Sequence, residues 1–239
     1  MKKIEAILFD FGGTLDHDGR DWFTRLFRIL QPAGEFSTCE EFESCADQAA
    51  QAICFMEDTP TLSMAETVER ICQQIQIRCP GKNGTRPSAW DPAQVSELFV
   101  NESRQYLERN RRVLAQLRKQ FRLGVISNNW GNTAGWCRHY RLHEYLDTMI
   151  DSTVVGSVKP DPGIFQAALH DMKLAPEQCI YVGDRYDCDV EGSRAAGLFP
   201  IWIVNENNHP LHPKQTAAVP KIHNLLELLT MDFSALESL

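Results

Sequence analysis

Ile4-Glu5-Ala6-Ile7-Leu8-Phe9-Asp10-Phe11-Gly12-Gly13-Thr14-Leu15 is the stretch whose reading decides the fold. A short, mostly apolar run meets an acid and then two glycines. That pattern reads as a central strand whose C-terminal end opens into a loop. From about residue 106 the same unit recurs. Phe121–Ile126, Thr148–Ile150, Cys179–Val182 and Ile201–Val204 read as short strands. They alternate with helical patterns at Val113–Lys119, Asn132–Tyr140, Pro162–His170 and Asp187–Ala196, the last closed by the C-cap glycine Gly197. A final amphipathic helix passes through Leu225, Leu226 and Leu229. Short apolar strands alternating with helices imply an α/β fold with a doubly wound parallel sheet.

Residues 21–105 read differently, as helices without a convincing strand. Trp22, Phe23, Leu26, Phe27 and Leu30 form one apolar stripe. Ser37 with Glu40, or Thr38 with Glu41, makes a capping box. It opens a helix with the face Phe42, Cys45, Ala49, Ala52, Ile53 and Met56. Ser63 with Glu66 repeats the signal before Met64, Val68, Ile71, Cys72 and Ile75. Pro80, Gly81, Asn83, Gly84 and Pro87 mark a long loop, and Asp91-Pro92 starts a fourth helix. The chain therefore divides into an α/β core, residues 1–16 plus 106–239, and a helical insert, residues 17–105.

Composition narrows the function classes. Against 24 Lys and Arg stand 32 Asp and Glu, a net charge of −8 over 239 residues. A general electrostatic grip on nucleic acid or an anionic membrane is not expected. No apolar run reaches the ~18 residues of a membrane span. Asp10, Gly12 and Gly13 interrupt the apolar N-terminal stretch, so it is not read as a signal peptide. The eight cysteines contain no Cys-x-x-Cys pair and complete no zinc pattern. They are expected to be reduced, mostly buried thiols in a cytoplasmic protein. Five fall between residues 39 and 79, where oxidation would concentrate.

In a sheet of this kind ligands bind at the C-terminal strand ends, near the point where strand order reverses. Those ends carry Asp10, Ser127-Asn128-Asn129 and Gly183-Asp184, with Lys159 in the loop after the third strand. Carboxylates, a hydroxyl and an amine converging on one edge suit a phosphoryl group beside a hard divalent cation.

On these residues the chain resembles the haloacid dehalogenase-like (HAD) hydrolase superfamily. Phe9-Asp10-Phe11-Gly12-Gly13-Thr14-Leu15 is similar to its first motif and Val125-Ile126-Ser127-Asn128 to its second. Lys159-Pro160-Asp161-Pro162-Gly163-Ile164-Phe165 is similar to the third, and Val182-Gly183-Asp184 through Asp189 to the fourth. The helical insert resembles the family's helical cap. The resemblance implies a phosphatase acting on a small phosphorylated metabolite through an aspartyl-phosphate on Asp10. It implies Mg²⁺ held by Asp10, the Gly12 carbonyl and Asp184, with Asp189 as a ligand or its neighbour. Ser127 and Lys159 would bind phosphate oxygens, with Gly13 and Asn128 beside them, and Thr14 would orient the loop. Asp187 competes with Asp189, and Arg185 is expected to pair with Asp187 or Asp189.

The departure is Gly12. Family phosphatases carry a second Asp there, which protonates the leaving oxygen and then activates water. Three other readings follow from its loss. One is a phosphate-ligand binding or regulatory protein that retains the site without turnover. Another is a phosphonatase, which needs a cap lysine; the one lysine within 17–105 is Lys82. The third is a metal-free dehalogenase, which the Asp184/Asp189 pattern opposes. Asp16-His17-Asp18-Gly19 reads as a polar turn, with Asp16 or His17 as the alternative source of the missing acid. Trp130 and Trp136 read as packing, or else as the lining of the pocket mouth.

Overall fold

The computed structural model describes residues 3–34, 36–54, 56–79, 90–205 and 219–233. The loop expected at 80–87 and Lys82 lie outside them. Two compact units divide the chain: Met1–Arg20 with Tyr106–Leu239, and Asp21–Gln105. Residues 17–20, expected in the insert, fall in the first unit. No helix among the described residues is long and apolar enough to cross a membrane.

The unit Asp21–Gln105 holds helices α1 (Trp22–Leu30), α2 (Cys39–Cys54) and α3 (Met64–Arg78), and the first half of α4 (Pro92–Leu117). The Asp21 carboxylate caps α1 by accepting from the Phe23 and Thr24 amides. Thr38 caps α2 by accepting from Glu41 N, while the Glu41 carboxylate reaches Ser37 N. Ser63 and Glu66 form the expected box on α3. The buried face of α2 is Phe42, Ala46, Ala49, Ala50 and Ile53, so Cys45 and Ala52 lie at its margin.

The sequence reading broke α4 into two helices, whereas the structure has one of 26 residues. From Ala93 to Leu117 the chain contains neither Gly nor Pro to interrupt it. Val95, Phe99, Ser103, Leu107, Asn110, Val113, Leu114 and Leu117 form its continuous buried stripe.

The other unit is built on a parallel sheet of order β3-β2-β1-β4-β5-β6 among the described residues. Its strands are β1 (Ala6–Phe9), β2 (Arg122–Ser127), β3 (Thr148–Asp151), β4 (Cys179–Gly183), β5 (Phe199–Ile203) and the two-residue β6 (Lys221–Ile222). Every neighbouring pair is parallel. Helices α5 (Thr133–His139), α6 (Ser152–Val155), α7 (Pro162–Met172) and α8 (Gly192–Ala195) complete this unit. All four residues of β1 are buried, as expected for a central parallel strand covered on both faces. Ala6 and Leu8 share one face with Tyr181, Ile126 and the α7 residues Ile164, Phe165, Ala168 and Leu169.

Two further expectations at the C-terminal end were off. The helix expected from Asp187 starts as a wide turn over Tyr186–Glu191 before α8. The amphipathic helix expected through Leu225 is a short 3₁₀ segment, Leu225–Leu229, whose Leu226 is exposed. All eight cysteines are free. Burial pushes the thiols of Cys72 and Cys137 up to about 12, as in inert core residues.

Arg25, a charged residue outside the apolar stripe read for this helix, is fully buried. Its guanidinium lies 3.8 Å over the Phe99 ring and donates to Ser103 Oγ (2.6 Å) and the Phe99 carbonyl (3.2 Å). Glu102 lies 3.3 Å from its Nε. Replacing a buried, paired cation by an apolar side chain strands these acceptors. Arg25→Met is expected to lower stability by about 3 kcal/mol, read as a lower urea midpoint at an unchanged slope. A midpoint at the wild-type value would contradict the packing role given to Arg25.

Candidate active site

Strand order reverses between β1 and β4, and the site sits where their C-terminal ends lie side by side. Phe9 pairs with Val182, and the Asp10 amide donates to the Val182 carbonyl (2.9 Å). Asp10 and Asp184 therefore leave adjacent strands at nearly the same level. After Asp10 the chain makes a wide turn closed by Asp16 N donating to Phe11 O (3.2 Å).

Gly13 turns with φ +79°, the left-handed region, and a Cβ there would stand 2.3 Å from Asp184 Oδ2. Both facts require glycine. Gly12 differs: its φ of −74° and ψ of 125° suit any residue, so backbone geometry does not explain its missing side chain. The turn is tied down from two sides. Asp16 Oδ1 accepts from Gly13 N (2.7 Å), and Thr14 Oγ1 donates to Asp184 Oδ1 (3.3 Å).

Lys159 supplies the charge. Its buried ammonium lies 2.8 Å from Asp10 Oδ1 and 2.7 Å from Asp189 Oδ1, and donates to the Tyr181 hydroxyl (2.9 Å). Asn128 holds the Lys159 backbone at both polar atoms: Oδ1 accepts from Lys159 N (2.8 Å) and Nδ2 donates to Lys159 O (3.1 Å). Both polar atoms of the Asn128 side chain, expected beside the substrate, are thus bonded to the Lys159 backbone. Ser127 ends β2, buried, in register with Asp151.

Asp189 also accepts from Arg185 N at Oδ2 (2.9 Å). A Cβ on Gly183 would come within 2.4 Å of the Asp189 Cγ, so glycine there is what lets Asp189 fold under the strand end. Asp187 is exposed and lies 3.6 Å from Arg185 Nη2, outside the cluster. Trp202 Nε1 donates to the Asp184 carbonyl (2.8 Å).

Asp10, Asp184 and Asp189 each offer a carboxylate oxygen, all within 4.8 Å of one another and all buried. Hard oxygen donors crowded in this way fit a small divalent cation such as Mg²⁺. Burial pushes the Asp10 carboxyl up to about 6, with Asp189 adding to the shift and Lys159 opposing it. Burial alone would lower the Lys159 ammonium, but Asp10 and Asp189 hold it above its ordinary value. Burial, aided by the same carboxylates, raises the Tyr181 phenol well above its ordinary value, so it stays protonated.

The remaining candidates are engaged elsewhere. His17 stacks on Tyr106 (4.2 Å), and its Nδ1 accepts from Asp18 N (2.7 Å). Asp18 forms a two-pronged pair with Arg109. Trp136 is buried against Phe11 (5.4 Å), which is packing, and Trp130 is partly buried beside it (6.4 Å).

Sequence reasoning missed Tyr181 and Trp202, which read as strand core; a polar atom on an otherwise apolar strand was the available signal. It also missed Asp151, which accepts from the Gly131, Thr133 and Thr153 amides and fixes the loop that follows β2.

The raised Asp10 carboxyl has a consequence for stability. A carboxyl raised by folding favours the folded state below its unfolded value near 4, and that contribution is lost as pH rises through about 6. Compared with Asp10→Asn in EDTA, the wild type is expected to lose on the order of 3 kcal/mol between about pH 4 and about pH 7. Urea denaturation across that window checks it, and a difference independent of pH would contradict the buried-carboxyl account.

Residues 4–197 match the family model of the haloacid dehalogenase-like hydrolases. Human haloacid dehalogenase-like hydrolase domain-containing protein 3 is 31% identical over 164 residues, 69% of this chain and 57% of that protein. The match thus spans little more than half the length of that relative. Glyceraldehyde 3-phosphate phosphatase of Methanopyrus kandleri is 32% identical over 110 residues, 45% of this chain and 47% of that protein. The HAD-hydrolase YfnB of Bacillus subtilis, solved with magnesium bound, shares the fold with a TM-score of 0.53 at 18% identity, covering 96% of this chain and 98% of that one. Motif order, strand topology and the match over 4–197 agree: the chain belongs to the haloacid dehalogenase-like hydrolase family.

Proposed function

We propose that this chain is a Mg²⁺-dependent phosphatase of small phosphorylated metabolites, with Asp10 as its nucleophile. The observation that carries the reading is the meeting of Asp10, Lys159, Asp184 and Asp189 at one buried point where β1 and β4 end. The phosphatase relatives support the same class of reaction.

In this reading an Asp10 oxygen attacks phosphorus, the bond from phosphorus to the leaving oxygen breaks, and an aspartyl-phosphate forms. Water then attacks phosphorus, releasing phosphate and restoring Asp10. Asp10, the Gly12 carbonyl and Asp184 would hold Mg²⁺, which supplies charge neutralisation for the phosphoryl group when bound. Ser127 and Lys159 bind phosphoryl oxygens, with the Gly13 amide close by. Asp189 and Asn128 orient Lys159, and Thr14 orients Asp184. Residues 21–105, inserted between the first and second motifs, take the role of the family's cap. The eight free thiols fit a cytoplasmic setting.

Gly12 shapes the outcome. With no carboxyl at that position, protonation of the leaving oxygen falls to another group or to water. A specific observation therefore favours a second reading, a phosphate-ligand binding protein with little turnover. Asp16, the nearest candidate for the missing acid, spends one oxygen on the Gly13 amide, which fits a turn-organising role.

Leaving-group chemistry separates these readings. p-Nitrophenolate departs unprotonated, whereas a sugar or alkyl oxygen needs a proton. Turnover of p-nitrophenyl phosphate with Mg²⁺ is expected, abolished by EDTA and by Asp10→Asn. Alkyl phosphates are expected to react about 10²–10⁴-fold more slowly than an enzyme with an intact acid would allow. Activity retained in Asp10→Asn would sink the mechanism. Binding of phosphorylated ligands with no product from either ester class would favour the second reading.

A further inference from the structure

The Lys159 ammonium donates to two acceptors, Asp189 Oδ1 (2.7 Å) and the Tyr181 hydroxyl (2.9 Å), and lies 2.8 Å from Asp10 Oδ1 as an ion pair outside hydrogen-bond geometry. One of these acceptors is charged and the other is neutral. The neutral one is built in firmly. Tyr181 lies on β4 with no exposed surface, and its ring packs edge-on against Phe165 of α7 (5.2 Å, 81°). Its hydroxyl hydrogen has two acceptors, the Ile126 carbonyl of β2 at 3.1 Å and Asp189 Oδ1 at 3.3 Å. With that hydrogen committed to either, an oxygen lone pair faces Lys159.

We propose that Tyr181 is a positioning residue for the reaction assigned above: together with Asp189, its hydroxyl fixes the place and rotation of the Lys159 ammonium, whose charge then stands 2.8 Å from Asp10. The proposal rests on that assignment of Lys159 and Asp10. The chemistry of the neutral acceptor matters. A third carboxylate would divide the lysine's charge among three anions. An apolar neighbour would leave one N–H unsatisfied in a buried site, which is costly. A phenol orients the ammonium and leaves its charge for Asp10 and the phosphoryl group. The Tyr181 hydroxyl bonds Lys159, the Ile126 carbonyl and Asp189 and makes no hydrogen bond to Asp10, so it acts through the lysine.

Tyr181→Phe removes the hydroxyl and keeps the ring against Phe165. With p-nitrophenyl phosphate and Mg²⁺, kcat is expected to fall about tenfold or more, with KM changed by less than about twofold. Leu169→Ala, on α7 in the same core, serves as the control because it costs stability without touching the hydroxyl. An equal fall in kcat in that variant, or wild-type kcat in Tyr181→Phe, overturns the proposal. A second readout does not depend on turnover. In ¹⁵N-labelled protein a buried, hydrogen-bonded ammonium exchanges its protons slowly, so Lys159 is expected to give an ammonium NMR signal that Tyr181→Phe shifts or broadens away. The same signal in both proteins overturns the proposal. Failure of the wild type to turn over any ester would remove the assigned reaction, while the ammonium signal would still decide whether Tyr181 positions Lys159.

Discussion

The site depends on one ion arrangement, the Lys159 ammonium held between Asp10 and Asp189. Three buried carboxylates within 4.8 Å of one another repel strongly in a medium of low dielectric. A single buried cation offsets part of that repulsion, and its loss would leave the acids to take up protons or swell the site. Much of the local structure serves to keep this ammonium in place. Asn128 grips the Lys159 backbone, Tyr181 accepts from the ammonium beside Asp189, and Arg185 N holds the far oxygen of Asp189.

Topology brings these groups together. The chain lays β2 and β3 on one side of β1, then returns to lay β4 and β5 on the other. The loops after β1 and β4 therefore leave the sheet next to each other, and the loop after β2 leaves beside β1. Two glycines make the close approach possible. Gly13 admits the Asp184 carboxylate and Gly183 admits Asp189, each at a distance that a methyl group would block.

The fold was legible because its signals are local: short apolar runs that stop at Asp10, Ser127 and Gly183, with capped helices between them. The site was legible for the same reason, since residues at the C-terminal strand ends of a parallel sheet must converge. What was hidden depends on contacts distant in sequence. The Tyr181 hydroxyl meets Lys159, Asn128 turns to the Lys159 backbone instead of outward, and Arg25 is buried against Phe99 and Ser103. None of these partners lies within a helical or strand period of the other. The division of α4 failed for another reason: its charged residues hid an unbroken buried stripe from Val95 to Leu117.

Gly12 leaves this chain without a carboxyl two residues after Asp10. Its backbone is ordinary, so the missing side chain is a matter of chemistry and not of fold. The central claim is that Asp10 nonetheless forms a covalent bond to phosphorus, and an acid quench during turnover of p-nitrophenyl phosphate tests it directly. Peptide mass mapping should find a phosphoryl group on the peptide that carries Asp10, lost on treatment with hydroxylamine. Steady phosphate release with no label on Asp10, or with the label on another residue, would contradict the account.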